Sequence, residues 1–565
     1  MSAAQHAVNG AARWRRGVLW AVPFAFLALF FFHPLLTIFG IAGESLLVNG
    51  VGAAGWARLT RALGFTFWQA GLSTLLTLAV GLPAAAVFGR YTFPGKRLVG
   101  ILSTLPFILP TVVVAAAFNA LVGPRGWLNV GLMDLMNLKE PPIQLLNSLA
   151  AIVLVHVFYN ATIVIRVVGS AWAQLDPRLE QAARVLGASP LRAWREVTFP
   201  LLRPALWAAV VLVFLFDFTS FGVVLLLGGP RYATLEVEIY IQAMQMLNIP
   251  LAGLLSLIQM GCTLAITTLY TRLSRQQGDI PLTPRVHGEG LRPPRSRAAR
   301  WFVFGVAAAL LLLLAAPLGA LGARSVTRLA GDREGRTSLE SGLTLDYYRE
   351  LFVNRREVYF YVPPAAALRN SLVYAAETVA ISLTLGFLAA YAVNRKGGWG
   401  RALNLALMLP LGTSAVTLGL GYLVTFNRPP LEIARLPFLI PAAHSLVALP
   451  FVVRTLQPAL ASIPVRLRQA AATLGASPWQ VWKWVDLPIV GRAALVGAIF
   501  SFTISLGEFG ATSFLARPEY PTLPVAIYRF LSQPGAYNYG QALAMSTILM
   551  LVCALSIFLM EKLEA

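Results

Sequence analysis

Ionisable residues inside long apolar runs give this chain its candidate site. Asp217 and Glu508 are carboxylates in two such runs, and His156 and His444 lie in two others. An ionisable side chain within a bilayer is costly unless it faces protein or water. Two acids in such positions suit a cationic solute. We therefore interpret Asp217 and Glu508 as candidates for a substrate pathway, with purely structural hydrogen bonding as the alternative.

An internal repeat relates these positions. A shift of 288 residues matches Asp217 with Ser505 and Ser220 with Glu508. Positions three apart on one helix share a face, so we expect both acids to face the same central route. The candidate pathway set is completed by five further residues: Ser220, Ser505, His156, Asn160 and His444.

The same shift matches His156 with His444. Histidines on two helices can ligate a metal, but they also occur as hydrogen-bonded polar groups in a core, and no carboxylate is near either one in the sequence. We therefore favour the hydrogen-bonded polar role and predict no metal site, with metal ligation as the alternative.

Motifs for catalysis are absent from the sequence. It contains no Cys/His cluster, no nucleophile motif and no His-x-x-x-His arrangement, and its two cysteines, Cys262 and Cys553, lie in apolar runs. There is no G-x-x-x-x-G-K-[ST] motif, because Gly95-Lys96-Arg97 lacks both the preceding glycine and the Ser or Thr. We expect no catalytic residue, no disulfide and no cofactor in this chain.

Composition places the chain in a membrane. Hydrophobic residues make up 57% and charged residues 12%, with a mean hydropathy of +0.68. Runs of about 20 apolar residues are long enough to span a bilayer as helices. They predict an all-α polytopic fold with about twelve transmembrane helices, at residues 17–42, 64–88, 98–122, 148–169, 205–228, 251–272, 301–322, 370–393, 402–425, 437–456, 491–514 and 541–560.

The 45 Lys and Arg residues against 24 Asp and Glu give a net charge of +21. They cluster in the loops after alternate helices, as the positive-inside rule requires of cytoplasmic loops. This distribution predicts a cytoplasmic N-terminus and a multi-pass protein of the cytoplasmic (inner) membrane. Because no basic run is interleaved with aromatic residues outside the membrane, no nucleic-acid partner is expected.

The chain divides into two halves. We assign residues 1–273 and 301–565 to two transmembrane domains and residues 274–300, rich in Pro and Arg, to a cytoplasmic linker. Since each half has an even number of helices, the two six-helix repeats must be parallel and related by an axis along the membrane normal.

One loop is matched closely between the halves. Glu180 to Pro200 and Arg468 to Pro488 are identical at eleven of twenty-one positions. An Ala-rich stretch favours a helix, Gly187 and Gly475 suit a left-handed helix end, and a following Ser-Pro supplies an N-cap with proline at the first helical position. The pattern predicts helix, tight turn and helix. A plain surface connector is the alternative.

These loops resemble the E-A-A-x-x-x-G motif of permeases from binding-protein-dependent ABC importers. The residues that fit are Glu180, Ala182, Ala183, Gly187 and Pro200 in the first loop, and Ala470, Ala471, Gly475 and Leu487-Pro488 in the second. Gln181 displaces the alanines by one, and Arg468 replaces the acidic residue.

Further phrases, such as the one from His156 to Asn160, are similar to the fused permeases of ferric-iron and thiamine importers. The resemblance implies two type I importer domains, with ten ATPase-coupling residues: Glu180, Ala182, Ala183, Gly187, Pro200, Arg468, Ala470, Ala471, Gly475 and Pro488. It also implies two ABC ATPase subunits that carry ATP-Mg, an extracytoplasmic binding protein and a surrounding lipid bilayer. The cargo implied is a small cation, thiamine or its phosphates or ferric iron.

Two further expectations concern the extracytoplasmic segments and an alternative class of transporter. Residues 228–240 and 516–528 are matched outer segments, in which Glu236 and Glu238 are docking charges for the binding protein or simply solvated charges. An ion-gradient-driven secondary transporter also often has twelve helices in parallel halves. Such a carrier needs no matched pair of cytoplasmic loops, which favours the ABC permease.

Overall fold

A computed structural model describes residues 19–44, 46, 50, 52–229, 231–275, 291–329, 339–353, 363–394, 398–427 and 437–564. The predicted start of the first span at residue 17 and most of the predicted linker lie outside the described residues.

Helices make up almost all of the first repeat. They are α1 (Leu19–Glu44), α2 (Ala53–Arg90), α3 (Lys96–Ile108), α4 (Thr111–Val122), α5 (Trp127–Met136), α6 (Leu149–Gln174), α7 (Pro177–Val185), α8 (Pro190–Phe218), α9 (Gly222–Leu227), α10 (Leu235–Tyr240) and α11 (Ile249–Arg275).

The second repeat follows the same plan with one small insertion. It contains α12 (Arg297–Ser325), β1 (Thr327–Leu329), β2 (Leu339–Leu343), α13 (Asp346–Glu350), α14 (Pro364–Val393), α15 (Gly398–Met408), α16 (Ala415–Phe426), α17 (Leu439–Ala461), α18 (Val465–Thr473), α19 (Pro478–Gly507), α20 (Thr512–Leu515), α21 (Leu523–Leu531) and α22 (Ala536–Glu564). The two strands pair antiparallel, which the sequence did not predict.

Within the described residues, eleven single helices are long and apolar enough to cross a membrane, or up to twelve if one bent pair is counted as a span. The prediction of an all-α polytopic fold is confirmed. The third and ninth spans are each broken in two, however. Pro110 separates α3 from α4, and Ser414 caps α16 by accepting a hydrogen bond from the Thr417 N–H at 3.0 Å.

The fifth and eleventh spans end earlier than predicted. α8 ends at Phe218 and α19 at Gly507, and a short helix follows each. In the second repeat, the Glu508 carboxylate accepts the backbone N–H groups of Ala511 and Thr512 and so fixes the start of α20. Glu508 therefore lies one residue beyond the helix in which it was predicted.

Equivalent glycines set the packing of each repeat. A Cβ atom at Gly81 in α2 would stand 2.6 Å from the Cβ of Val164 in α6, and one at Gly386 in α14 would stand 2.5 Å from the Cγ1 of Val452 in α17. Val164 and Val452 are related by the shift of 288 residues. The same close helix pair therefore forms the centre of both halves.

The two repeats are interlocked by their first helices. α1 packs against α16 of the second repeat, while α12 packs against α4 of the first. Phe30 of α1 contacts the rings of Tyr422 and Phe426, for example. One large hydrophobic core contains residues from both halves, so the repeats enclose a shared interior.

Candidate functional site

A cavity of about 350 Å³ lies in this shared interior, between residues of α3, α4, α6 and α8 and residues of α16 and α19. Five of the seven predicted pathway residues line it: His156, Asn160, Asp217, Ser220 and Glu508. His444 and Ser505 are not among its lining residues. Five aromatic side chains complete much of the wall: Phe107, Tyr159, Phe216, Phe221 and Phe509.

Asp217 is fully buried at the end of α8 and is held from α6. Its Oδ1 accepts a hydrogen bond from Asn160 Nδ2 at 2.7 Å and lies 3.3 Å from His156 Nδ1. Gln69 Nε2 donates to the Asp217 carbonyl at 2.7 Å. The other carboxylate oxygen, Oδ2, has no hydrogen-bond partner among the described residues. Asp217 is thus a cavity-lining residue with one buried acceptor oxygen that has no partner among the described residues.

Glu508 is also buried, but both of its oxygens are occupied. Besides the two backbone groups at the start of α20, the Thr512 hydroxyl donates to Oε2. His444 Nε2 lies 3.2 Å from the same oxygen, and His444 Nδ1 is 2.8 Å from Ser505 Oγ. His444 therefore positions Glu508 and is itself held by Ser505, although neither His444 nor Ser505 lines the cavity. Glu508 combines a structural hydrogen-bonding role with a place in the cavity wall.

The histidines are paired with carboxylates in a pseudo-symmetric way. His156 lies beside Asp217 and His444 beside Glu508, although neither acid is near its histidine in the sequence. The remaining nitrogen of His156 is 2.8 Å from Ser220 Oγ. In the described part of the chain, no group of three or more His, Cys, Asp or Glu side chains is arranged to hold a metal ion.

Glu236 is a cavity residue that sequence reasoning placed outside. It is 1% exposed and lines the cavity, so the expectation of a docking or solvated charge was wrong. Its oxygens accept hydrogen bonds from Gln259 Nε2 at 2.9 Å and from Ser414 Oγ at 3.0 Å. Gln259 lies ten residues into α11, about 15 Å along the helix axis at 1.5 Å per residue. Glu236 is therefore deep in the bundle, because α10 turns back into it.

Glu238 is likewise buried, with 9% of its surface exposed. It accepts a hydrogen bond from Gln242 Nε2 at 2.7 Å and lies 3.7 Å from the Arg58 guanidinium. The sequence did contain a signal for the burial of this segment. Leu235, Val237 and Ile239 are apolar and all three are buried, and such residues are unusual in a solvated loop.

The two matched loops, residues 176–200 and 464–488, have the predicted helix, turn and helix. Gly187 and Gly475 are left-handed, with φ of +89° and +84°. Ser189 Oγ accepts the Arg192 N–H at 3.3 Å, and Ser477 Oγ accepts the Gln480 N–H at 3.3 Å. Both loops then enter the long helices α8 and α19 through one π-helical turn.

These loops present an apolar surface. No residue of α7 or α18 is buried. Leu186 is 87% exposed and Leu474 88%. Ala182 and Ala470 are exposed, Ala183 and Ala471 half-buried, and Pro200 and Pro488 exposed. Exposed apolar side chains at matched positions are typical of a surface that another protein covers.

The positions occupied by Glu180 and Arg468 carry opposite charges and make internal contacts. Glu180 Oε2 accepts a hydrogen bond from Arg90 Nη2 at 2.7 Å. Arg468 Nε donates to Asp486 Oδ1 at 2.7 Å.

A polytopic bundle of two interlocked repeats, with a buried polar cavity and two matched loops, defines a transport permease. Comparison with known families agrees: residues 78–278 match the model for the binding-protein-dependent transport system inner membrane component. The chain belongs to this family, and it is a multi-pass membrane permease of the ABC importer type.

Several curated permeases are similar to this chain. The thiamine transport system permease protein of Brucella abortus is 26% identical over 539 residues, which cover 93% of each chain. That of Escherichia coli K12 is 28% identical over 506 residues, 88% of each chain. A Salmonella paratyphi A protein, provisionally assigned as a 2-aminoethylphosphonate transport system permease, is 31% identical over 269 residues, 46% of this chain and 93% of its own length.

Among solved structures, a chain from a bacterial ABC transporter involved in the import of the acidic polysaccharide alginate is similar. It covers 48% of this chain and 99% of its own length, with 17% identity and a TM-score of 0.39.

Proposed function

We propose that this permease imports thiamine, or a closely related organic cation, in an ATP-driven cycle of alternating access. A binding protein delivers the substrate from outside. Two ATPase subunits bind the two matched loops, which face the cytoplasm together with the N-terminus, and they carry the ATP-Mg. Eight of the ten coupling residues predicted from the sequence form the docking surface on these loops, while Glu180 and Arg468 make internal ion pairs.

The observation that carries the choice of substrate is the unsatisfied Oδ2 of Asp217 at the wall of the cavity. A buried carboxylate oxygen without a hydrogen-bond donor favours a cationic partner, because an isolated charge in the membrane interior is costly. Glu236 and Glu508 add two more carboxyl groups to the same wall.

The aromatic side chains of the cavity favour a flat organic cation. Phe107 and Phe216 contact each other edge to face at 5.9 Å, and both line the cavity. Aromatic rings attract cations through their negative faces and also stack on planar rings. The thiazolium and pyrimidine rings of thiamine suit such a wall, and the thiamine permeases among the relatives support this substrate.

The other candidate cargoes fit the cavity less well. The described residues that line the cavity include three carboxyl groups and no Arg or Lys, so a phosphonate would lack a cationic partner there. Ferric iron requires several ligands that converge on one point, and the described residues contain no such group. An ion-gradient mechanism is disfavoured by membership of a binding-protein-dependent family.

The test is uptake by the complete complex, purified with the ATPase subunits and binding protein that accompany it and reconstituted into proteoliposomes. We expect labelled thiamine to accumulate only with ATP-Mg on the side of the matched loops, and protonophores to have no effect. Accumulation that collapses with a protonophore and ignores ATP would overturn the proposal. Transport of ferric iron but not of thiamine would overturn the choice of substrate.

A further inference from the structure

We infer that Glu180 and Arg468 are positioning residues, which link the coupling helices α7 and α18 to the second transmembrane helix of their own repeat. Glu180 does so through an ion pair with Arg90, and Arg468 through an ion pair with Asp486, to which Tyr391 also donates a hydrogen bond. The inference rests on the proposed function, in which α7 and α18 dock to the ATPase subunits. It assigns these two side chains to internal contacts and not to contacts with the ATPase.

The coupling helices have little else to hold them. No residue of α7 or α18 is buried, so neither helix has an apolar face packed into the membrane bundle. Their main packing contacts are with the following segments of the same loops. Side-chain bonds that reach a transmembrane helix therefore carry unusual weight in setting where each coupling helix stands.

In the first repeat the tie is direct. Arg90, the last residue of α2, donates to Glu180 of α7 at 2.7 Å. The two side chains are 33% and 21% exposed, so the pair is partly shielded from water. The Arg90 guanidinium also lies over the ring of Trp172 in α6, 5.8 Å from its centroid. Arg90 is thus fixed by the bundle and offers a preset partner to the coupling helix.

In the second repeat the link between the coupling helix and the transmembrane helix involves three residues. Arg468 of α18 donates to Asp486, whose side chain is 7% exposed, and the hydroxyl of Tyr391 in α14 donates to the other oxygen of Asp486. Tyr391 lies near the end of α14, the counterpart of α2. Glu180 is therefore linked to α2 and Arg468 to α14, which are equivalent helices of the two repeats. The charges at the two equivalent positions are opposite.

The helices that receive the ties also contact the candidate pathway. In α2, Ser73 Oγ lies 3.0 Å from His156 Nδ1, beside Asp217. In α14, Thr378 Oγ1 donates to Ser505 Oγ at 3.2 Å, and Ser505 contacts His444 behind Glu508. A displacement of either coupling helix is thus transmitted along one continuous helix to the groups that flank the cavity.

The experiment compares charge reversals with charge swaps in the reconstituted complex. Glu180→Arg or Arg90→Glu alone places like charges together. We expect uptake to fall about tenfold while the ATPase subunits stay bound and continue to hydrolyse ATP, because a broken ion pair leaves two charges unpaired. The swap Glu180→Arg/Arg90→Glu restores the pair and should recover most of the uptake. Arg468→Asp and Arg468→Asp/Asp486→Arg form the same series in the second repeat.

Asp346→Arg is the matched control, since its partner Arg328 forms an exposed pair at 3.3 Å in the loop between α12 and α14. It should leave uptake unchanged. Loss of the ATPase subunits on Glu180→Arg, with no recovery in the swap, would show direct contact with the ATPase and overturn the inference. So would normal uptake in every single variant. A wild-type complex without ATP-driven uptake would instead defeat the proposed function itself.

Discussion

Phe221 and Phe509, which occupy equivalent positions in the two repeats, stack on each other at the wall of the cavity. Their ring centroids are 5.6 Å apart and their planes differ by 25°. Tyr240 packs against Phe221 and its equivalent Tyr528 packs against Phe509, at 5.5 and 5.6 Å. The pseudo-twofold axis therefore passes through an aromatic cluster made by both halves.

This stack is expected to close one end of the pathway. Phe221→Ala/Phe509→Ala removes two nearly buried rings and should allow thiamine to leak through proteoliposomes without ATP. Efflux of preloaded, labelled thiamine measures the leak, and Phe221→Leu/Phe509→Leu serves as the volume control. A double alanine variant that remains as tight as the wild type would contradict this role.

Asp217→Asn tests the unsatisfied carboxylate oxygen. The amide keeps an acceptor for Asn160 but places a donor, not an acceptor, at the position of the unpartnered oxygen. A hydrogen bond to a charged group is worth about 1.5–3 kcal/mol, so we expect the KM for thiamine to rise about tenfold to a hundredfold. Uptake kinetics in proteoliposomes provide the measurement. An unchanged KM would remove Asp217 from the substrate site.

Glu236→Gln should have a smaller effect than Asp217→Asn, because both Glu236 oxygens already accept hydrogen bonds. Gln259 and Ser414 are able to bond the amide as well, so the fold should persist while one carboxyl group is lost from the cavity. Competition between thiamine and an uncharged analogue reports the change in cation preference. Ser414→Ala, which keeps the Glu236 carboxyl group but removes the contact between the repeats and the N-cap of α16, is the comparison variant. A larger loss of uptake in Glu236→Gln than in Asp217→Asn would reverse the assigned order.

Gly187→Val/Gly475→Val tests the turns of the matched loops. Nothing lies within 4 Å of a Cβ atom at either glycine, so the cost comes from the left-handed backbone and not from a clash. That strain is roughly 1–2 kcal/mol per residue and should displace both coupling helices. We expect uptake and co-purification of the ATPase subunits to be lost while membrane insertion is retained. Gly64→Val, also in open space but without a positive φ, should behave as wild type. Normal ATP-driven uptake by the double variant would contradict the coupling role.

Gly81→Ala tests the helix packing that both repeats share. The added methyl group would meet Val164 at 2.6 Å, and overpacking of this kind costs about 1–3 kcal/mol. A thermal unfolding assay in detergent should register a lower Tm than for the wild type. Gly71→Ala on the same helix has open space and should not lower the Tm. Equal Tm values for the two variants would argue against the close approach of α2 and α6.

The sequence by itself determined the features that depend on local or periodic chemistry. Run lengths specify the spans, the shift of 288 residues reveals the repeat, and Gly187 followed by Ser189 and Pro190 specifies the turn of the matched loop. Each of these is encoded within one helix or one loop, where composition and capping dominate. The breaks at Pro110 and Ser414 were missed because the apolar runs continue through them.

Tertiary structure decided which polar groups meet. Glu236 is buried because α10 folds back against α11, and Ser414, which donates to it, is 178 residues distant. Arg90 and Glu180 are 90 residues apart, and only the packing of α2 beside α6 brings the end of one helix to the loop that follows the other. Such pairs arise from long-range packing, and neither hydrophobic periodicity nor capping residues specify them. The sequence therefore shows that Glu180 and Arg468 carry opposite charges at equivalent positions, but it does not show which residues they pair with.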